Sequence, residues 1–380
     1  MAPSPAYSGV LMSIGPVGQR VVVTEYGETP LDALANTIRL EDQPAPDPTS
    51  LAATDVVLRV RSCAVGWVDL IMSSGQYQHM APPPYTPGLE FAGEVAWVGD
   101  AVTRVQTGDR VLADGFLTGP RSHGRHQRWG GFATWAVIPE QAAIPLSDRL
   151  TYDQSVNLLG NYETAWHVLH VRARLQAGES VLVLGASGST GLAGVQLAKA
   201  CGATVIAAGR NPDKLAELKE LGADHVLRTD RESGGLAGMR DAVKALTGGQ
   251  GVHVVWDGVG GEISVQALRC LRFGGRFCIV GWAATPFVAR GKGKRGAPRA
   301  NQLPTNIIQM KGLDVLGCPA VISTRFDPSL RPDRLDKILA RVANGGIVPH
   351  VGPAFALADF EAAMQAKWDS RFVGGCVLHP

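Results

Sequence analysis

The 380-residue chain lacks several features that would define its class at once. No apolar run approaches the length of a membrane span. Only 18% of its residues are charged and the formal net charge is +2. Neither nucleic acid nor an anionic membrane surface is therefore an expected partner. Its cysteines, Cys63, Cys201, Cys270, Cys278, Cys318 and Cys376, are scattered through mostly apolar sequence, and none form Cys-x-x-Cys. They read as buried free thiols of a reducing compartment, which makes the cytoplasm the expected location. The opening "MAPSPAYSGVLMSIGPVGQR" has no basic region followed by an apolar block, so no secretory signal is expected. Residues 1–18 read as a flexible extension.

Hydrophobic residues make up 45% of the chain, and its length suits two domains with well-developed cores. From Gln19 to Pro145, short β-branched or alternating runs such as "RVVVTEY", "DVVLRVRSC", "AGEVAWVG" and "FATWAVIP" are bounded by Gly, Pro and Asp, which predicts an all-β region, a small irregular barrel. Near Ser155 the pattern changes. "QSVNLLGNYETAWHVLHVRAR" has helical spacing, and from "SVLVLGA" onward strand-like and helix-like segments alternate to "LDVLG". That alternation predicts a parallel sheet covered by helices on both faces. Ala283–Gln302 is a basic insertion rich in Gly and Pro, read either as a solvated loop or as a flap near a cofactor or an anionic substrate tail. The segment from Pro332 is expected to return to the first domain.

Gly185-Ala186-Ser187-Gly188-Ser189-Thr190-Gly191 follows one predicted strand and opens a predicted helix. In that context the glycines permit a tight turn and bring backbone N–H groups close to a pyrophosphate, with the positive end of the helix behind them. Ser187, Ser189 and Thr190 offer hydroxyl donors. At the end of the next strand, an enzyme using NAD usually places an acidic residue on the ribose 2′-hydroxyl. This chain has Gly209 and Arg210, with Lys214 following. Glycine makes room for a 2′-phosphate and Arg210 can pair with it, so NADPH is the expected cofactor. No Tyr-x-x-x-Lys occurs, which disfavours a short-chain dehydrogenase.

A set of segments then adds up. "VRSCAVGWVDLIMSSGQY", "YTPGLEFAGEVAWVGDAVTRVQTGDRV", "GGFATWAVIP", "NLLGNYETAWHVL", "GASGSTGLAGVQLAKACGA", "GGRFCIVG" and "RFVGGCVLHP" occur in this order. Together they resemble the medium-chain dehydrogenase/reductase superfamily, specifically its zinc-free quinone oxidoreductase group that includes zeta-crystallin. The resemblance implies an α/β protein with a GroES-like β-barrel over 19–159, completed by 321–380, and a Rossmann doubly wound domain over 160–320. It also implies a homodimer formed through the edge of the Rossmann sheet. In zinc-dependent relatives three side chains bind catalytic zinc. The matching positions here are Gly66, Leu89 and about Gly160, none of which can ligate a metal, and the segment from Leu112 to Phe132 lacks the cysteines of a structural zinc lobe. Two histidine pairs, His123 with His126 and His167 with His170, lack a third ligand. No metal is expected.

Without zinc the scaffold lacks a Lewis acid, which suits hydride transfer to an acceptor that is already electron-poor: a quinone or an α,β-unsaturated carbonyl compound. An enoyl-thioester reductase is the second reading, and a non-catalytic, crystallin-like NADPH-binding protein the third. The resemblance brings Tyr162, Asp69, Trp67 and Tyr77 to the nicotinamide end. Tyr162 is the candidate proton donor, with solvent as its alternative. Asp69 is either an acid or a structural hydrogen-bonder, and Trp67 and Tyr77 are either an apolar wall or core aromatics. On the cofactor side the resemblance adds Thr164, Val259, Gly281 and Thr229, the last standing where the family has a phosphate-side tyrosine.

Overall fold

The structure is a computed structural model that describes residues 14–284 and 301–380. The β-branched runs punctuated by Gly, Pro and Asp form strands as their alternation demands. In the first part of the chain these are β1 (Gly18–Val23), β2 (Ile38–Gln43), β3 (Asp55–Val65), β4 (Phe91–Val98), β5 (Arg110–Ala113), β6 (Trp135–Pro139) and β7 (Ala143–Pro145). The parallel part follows with β8 (Ser180–Leu184), β9 (Thr204–Gly209), β10 (His225–Arg228), β11 (Val252–Asp257), β12 (Leu271–Ile279) and β13 (Asp314–Gly317). The chain ends with β14 (Val351–Ala356) and β15 (Gly375–His379).

β3 is the hub of a seven-stranded sheet ordered β14-β15-β3-β4-β5-β7, with β6 also paired to β3. The C-terminal strand β15 lies antiparallel to β3, with Cys376 opposite Val65 and Leu378 opposite Cys63. Alternate residues of these strands, including Val56, Leu58, Phe91, Val111, Ile138 and Leu378, fill one barrel core. The second sheet is parallel and ordered β10-β9-β8-β11-β12-β13. Its central strand β8, "SVLVL", is buried along its whole length, as a strand covered on both faces must be. Val181 and Val183 face one core while Leu182 and Leu184 face the other. The strand order reverses between β8 and β11, so a crevice opens at their carboxyl ends, the usual ligand position in such sheets.

The reading of 19–145 as purely β is corrected by two short helices, Pro30–Asn36 and Trp67–Ser73. Each spans seven residues, too few for a helical period to stand out. Local capping starts them. Thr29 accepts from the Asp32 N–H with Pro30 in the first turn, and the Asp69 carboxylate accepts from the Gly66 N–H. The extension expected over 1–18 lies outside the described residues up to 13, while Pro16 accepts from the Trp135 indole at 3.2 Å. Positions 285–300 of the basic insertion also lie outside the described residues.

A buried ion network ties three parts of the chain together. Arg331 donates to Asp114 just after β5, at 2.5 Å, and to Glu163 at 3.0 Å. Arg334 donates to Glu163 at 2.7 Å and to the Thr324 hydroxyl at 2.8 Å. Asp114, Glu163 and Arg334 are all buried. Removing one partner from such a network leaves an uncompensated charge in the interior. The variant Glu163→Ala should therefore lose about 3–5 kcal/mol of stability, read as a lower urea midpoint. A loss below about 1 kcal/mol would place the pair among exposed ion pairs instead.

Candidate active site

The glycine turn forms as a direct consequence of its residue types. Gly185 has φ +70, a conformation that L side chains avoid, and a Cβ at Gly191 would overlap the Gly185 carbonyl. Gly188 caps the helix Ser189–Ala200, whose first N–H groups face the crevice end of β8. Ala186 is buried beneath the turn, and Ser187, Gly188 and Ser189 are partly exposed. The Thr190 hydroxyl donates to Asn161 Oδ1 at 3.0 Å, so here it braces two helices. Ser189 Oγ accepts from Lys367 Nζ at 2.7 Å, which leaves its own hydrogen free to donate.

Across the crevice, the loop after β11 is organised by a residue that sequence reasoning missed. Asp257 is fully buried and accepts from the N–H groups of Val259 and Gly260, both at 2.9 Å, and from Ser264 Oγ at 2.5 Å. Burial raises its carboxyl pKa, against the lowering effect of these donors. Gly281 N–H reaches the Asp257 carbonyl at 3.2 Å, so Val259 and Gly281 are both fixed by this residue. A Cβ at Gly185 would stand 3.1 Å from Val259, so the two loops abut.

At the end of β9, Arg210 is exposed. Lys214 donates to the Ser370 carbonyl, and burial followed by the neighbouring Arg210 charge lowers its pKa. Thr229 is buried; its N–H and hydroxyl both donate to the Gly209 carbonyl, at 2.8 and 3.1 Å. Thr229 therefore shapes the end of β9.

The positions matching zinc ligands hold a different arrangement. Asp69 is buried and its two oxygens accept from the N–H groups of Gly66, at 2.9 Å, and Gly88, at 3.0 Å. Of the two readings of Asp69, these bonds favour the structural one: both oxygens are bound to backbone, and Asp69 fastens Gly66 to Gly88, the residue before Leu89. Burial dominates over these donors and raises its pKa to about 6. At the third position Glu90 Oε1 accepts from the Gly160 N–H at 2.7 Å. Any Cβ at 160 would overlap that oxygen, so glycine is what admits the carboxylate. Burial raises the Glu90 pKa to about 7, opposed mainly by the Arg121 charge. Leu89 is 5% exposed, between these two anchors.

The remaining candidates divide. Tyr77 is half-buried, and the Arg121 charge lowers its hydroxyl pKa against a larger rise from burial. Trp67 stacks on Trp368 with ring centroids 4.9 Å apart and 4° between planes. One face of Trp67 thus joins its helix to the helix Phe360–Trp368, which favours the core-aromatic reading for that face. Tyr162 is 2% exposed, its hydroxyl donates to Gln196, and burial raises its pKa well above the ordinary value. Gln196 lies two turns beyond the glycine turn and lines an open groove of about 520 Å³ with Glu220 and Val348. The Tyr162 hydroxyl is thus engaged by the glycine-turn helix. Thr164, on the same helix Leu159–Trp166, is half-buried.

Neither histidine pair gathers a third ligand: His126 bonds Asp55 at 2.9 Å, and burial followed by Arg334 lowers the His167 pKa to about 4. Among the described residues no group of three or more His, Cys, Asp or Glu is placed to hold a metal ion. The side chains at 66, 89 and 160 do not fit zinc.

Lys367 was invisible to sequence reasoning. It sits on the helix Phe360–Trp368, and its buried amino group reaches Ser189 at the start of the glycine-turn helix, with burial lowering its pKa. It adds a cation to an end of the helix that already favours anions.

A barrel of this kind joined to a doubly wound sheet, with a glycine turn at the switch point, defines the architecture of an oxidoreductase. Two family models match the chain: the alcohol dehydrogenase GroES-like domain over residues 52–148 and the zinc-binding dehydrogenase over 189–330. A quinone oxidoreductase-like protein 2 homolog from Nematostella vectensis is 32% identical over 332 residues, covering 87% of this chain and 83% of that protein. The quinone oxidoreductase of Rattus norvegicus is 32% identical over 314 residues, covering 83% and 84%. Among solved structures, a mycobacterial protein complexed with NADPH is 26% identical and superposes with a TM-score of 0.74 over 96% of this chain and 100% of that one. The chain belongs to the medium-chain dehydrogenase/reductase superfamily, in its quinone oxidoreductase group.

The Glu90 carboxyl has a signed consequence. Its folded pKa of about 7 lies above the ordinary 4.5, so between these values the folded state holds a proton that the unfolded chain has lost. Stability from this group is greatest below pH 4.5 and falls as pH rises through 7. Glu90→Gln keeps an acceptor for the Gly160 N–H and removes the titration. Its urea midpoint should gain on wild type from pH 5 to pH 8; parallel pH profiles would contradict the assignment.

Proposed function

We propose that this oxidoreductase is an NADPH-dependent, zinc-independent enzyme that reduces a quinone or an α,β-unsaturated carbonyl acceptor, working as a cytoplasmic homodimer. The observation that carries the reading is the pairing of two sites: a glycine turn followed by the exposed Arg210, and a metal position whose three residues have no ligating side chain. When bound, NADPH supplies the hydride. The first N–H groups of the helix Ser189–Ala200 bind the pyrophosphate, with Lys367 beside them, and Arg210 pairs with the 2′-phosphate. Val259 and Gly281, held by Asp257, present backbone groups to the carboxamide, and Thr164 contacts the cofactor from its helix. Leu89 excludes water from the acceptor, and solvent supplies the proton.

The dimer reading rests on the sheet edge. Among the described residues β13 pairs only with β12, and near it Val315, Met310 and Phe273 are 38%, 63% and 77% exposed. Apolar side chains along an open edge are what a second copy of the sheet would cover. The cytoplasm is consistent with six free cysteines and with the absence, among the described residues, of a helix long and apolar enough to cross a membrane.

Consumption of NADPH is to be followed with a quinone, a simple enone and an acyl-CoA enoyl thioester, using wild type and Arg210→Asp. Losing one charge-assisted contact of about 1.5–3 kcal/mol should weaken NADPH binding roughly 10–100-fold and leave NADH nearly unchanged. An unaltered preference for NADPH would remove Arg210 from the assignment. Turnover of the thioester alone would select the enoyl-thioester reading. No turnover with any acceptor, with NADPH still bound, would make the chain a nucleotide-binding protein without this activity.

A further inference from the structure

Arg121 is buried, 6% exposed, on the loop between β5 and β6. A guanidinium in that position normally has a carboxylate partner. Arg121 forms no ion pair among the described residues, and its Nε has no hydrogen-bond partner. Its contacts place it. The guanidinium lies over the Phe116 ring, 4.9 Å from the centroid. A Cβ at Gly115 would be 3.1 Å from Arg121 Nη2 and 2.6 Å from the Leu89 carbonyl oxygen, so the guanidinium packs beside Leu89. Its charge acts on Asp69, on Glu90 and on the Tyr77 hydroxyl. Those two carboxylates are the groups that fasten Gly66, Gly88 and Gly160 through backbone N–H bonds. They are engaged elsewhere and do not pair with Arg121. A second guanidinium adds to the surplus: Arg325 donates to the Arg121 carbonyl at 2.7 Å, and the two side chains repel.

We propose that the Arg121 guanidinium binds the oxygen of the acceptor, first as a carbonyl and then as the oxyanion that hydride addition creates, with the Tyr77 hydroxyl beside it. This rests on the reductase reading above. Hydride from NADPH forms a C–H bond at the electron-poor carbon of the enone or quinone. The π bond breaks, its electron pair moves through the conjugated system to the oxygen, and the dinucleotide is oxidised. The oxygen anion accepts hydrogen bonds from Arg121. A guanidinium donates hydrogen bonds but keeps its protons, so one proton from solvent completes the product. Preorganised donors aimed at a developing oxyanion act strongly in a site shielded from water. The same physics lets a guanidinium do part of what a metal cation does, provided the acceptor is already activated.

The test uses the full chain and the variants Arg121→Gln and Arg121→Lys. The binding probe is 4-nitrophenolate, a flat ring bearing an oxyanion, compared with the neutral ether 4-nitroanisole and followed by absorbance. Wild type should bind the phenolate at least about tenfold more tightly than the ether, a difference that charge-assisted bonds supply. Arg121→Gln should lose that difference and Arg121→Lys should keep part of it. With a quinone or enone, kcat of Arg121→Gln should fall by about 10²–10³ while the Kd for NADPH stays the same. A folded Arg121→Gln protein with wild-type kcat, or with undiminished preference for the phenolate, overturns the proposal. If Arg121→Gln does not fold, wild type decides alone, because equal affinity for phenolate and ether also overturns it. If wild type turns over no acceptor, the reductase reading fails, and the phenolate titration still decides what Arg121 binds.

Discussion

The contact between the Glu90 carboxylate and the Gly160 N–H is the constraint on which the cleft depends. Glu90 ends the loop that enters β4 of the barrel, and Gly160 begins the helix that leads into the Rossmann sheet. A single hydrogen bond thus joins the two halves at the floor of the site. It exists only because position 160 has no side chain. The carboxylate pays heavily in lost hydration, and one backbone donor and the Arg121 charge offset part of that cost. Asp69 does the same for Gly66 and Gly88. Buried Asp69 and half-buried Glu90 therefore lock in place, through backbone N–H groups, the region where a metal would otherwise be held by side chains.

The C-terminal segment carries the other half of the arrangement. β15 completes the barrel sheet beside β3. One residue earlier, the Gly374 N–H donates to the Ser187 carbonyl at 2.8 Å, and Lys367 reaches Ser189. One stretch of about a dozen residues is thus bonded to both walls of the cleft. Trp368 stacked on Trp67 adds an apolar contact at the same junction. The glycine turn is therefore not an isolated Rossmann feature, because its position relative to the barrel is set by the last strand of the chain.

How much of this the sequence reveals follows from the range of each interaction. The glycine turn is local: Gly185, Gly188 and Gly191 lie within seven residues, between a strand and a helix that announce themselves by period. The incapacity for zinc is also local, since glycine and leucine have no ligating atoms. Tyr162 came from the resemblance alone, and a motif does not say which neighbour a helical side chain meets; here it is Gln196. Asp69 could be read as acid or brace, and only the two backbone donors decide between them. Asp257 had a weak signal, an acid ending the apolar run "VHVVWD". Lys367 and Arg121 had none. Lys367 meets Ser189 across 178 positions, and Arg121 is one of several arginines in a glycine-broken loop.

Charge accounting connects these pieces. A zinc ion would bring two positive charges to the space between positions 66, 89 and 160 and would hold nearby carboxyls ionised. A guanidinium brings one, spread over three nitrogens and partly used against Arg325. Asp69 and Glu90 accordingly keep pKa values of about 6 and about 7, raised by burial that a single neighbouring cation does not cancel. Near neutrality Glu90 is divided between its charged and neutral forms, so the net charge around Arg121 stays positive or close to it. Such a site would attract an oxygen that is gaining charge, yet its single cation is a weaker aid than zinc to ionising an unactivated alcohol. On the proposed reading, a preference for acceptors that arrive electron-poor would follow from electrostatics built from Gly160, Glu90 and Arg121, and would not require a dedicated acid in the cleft.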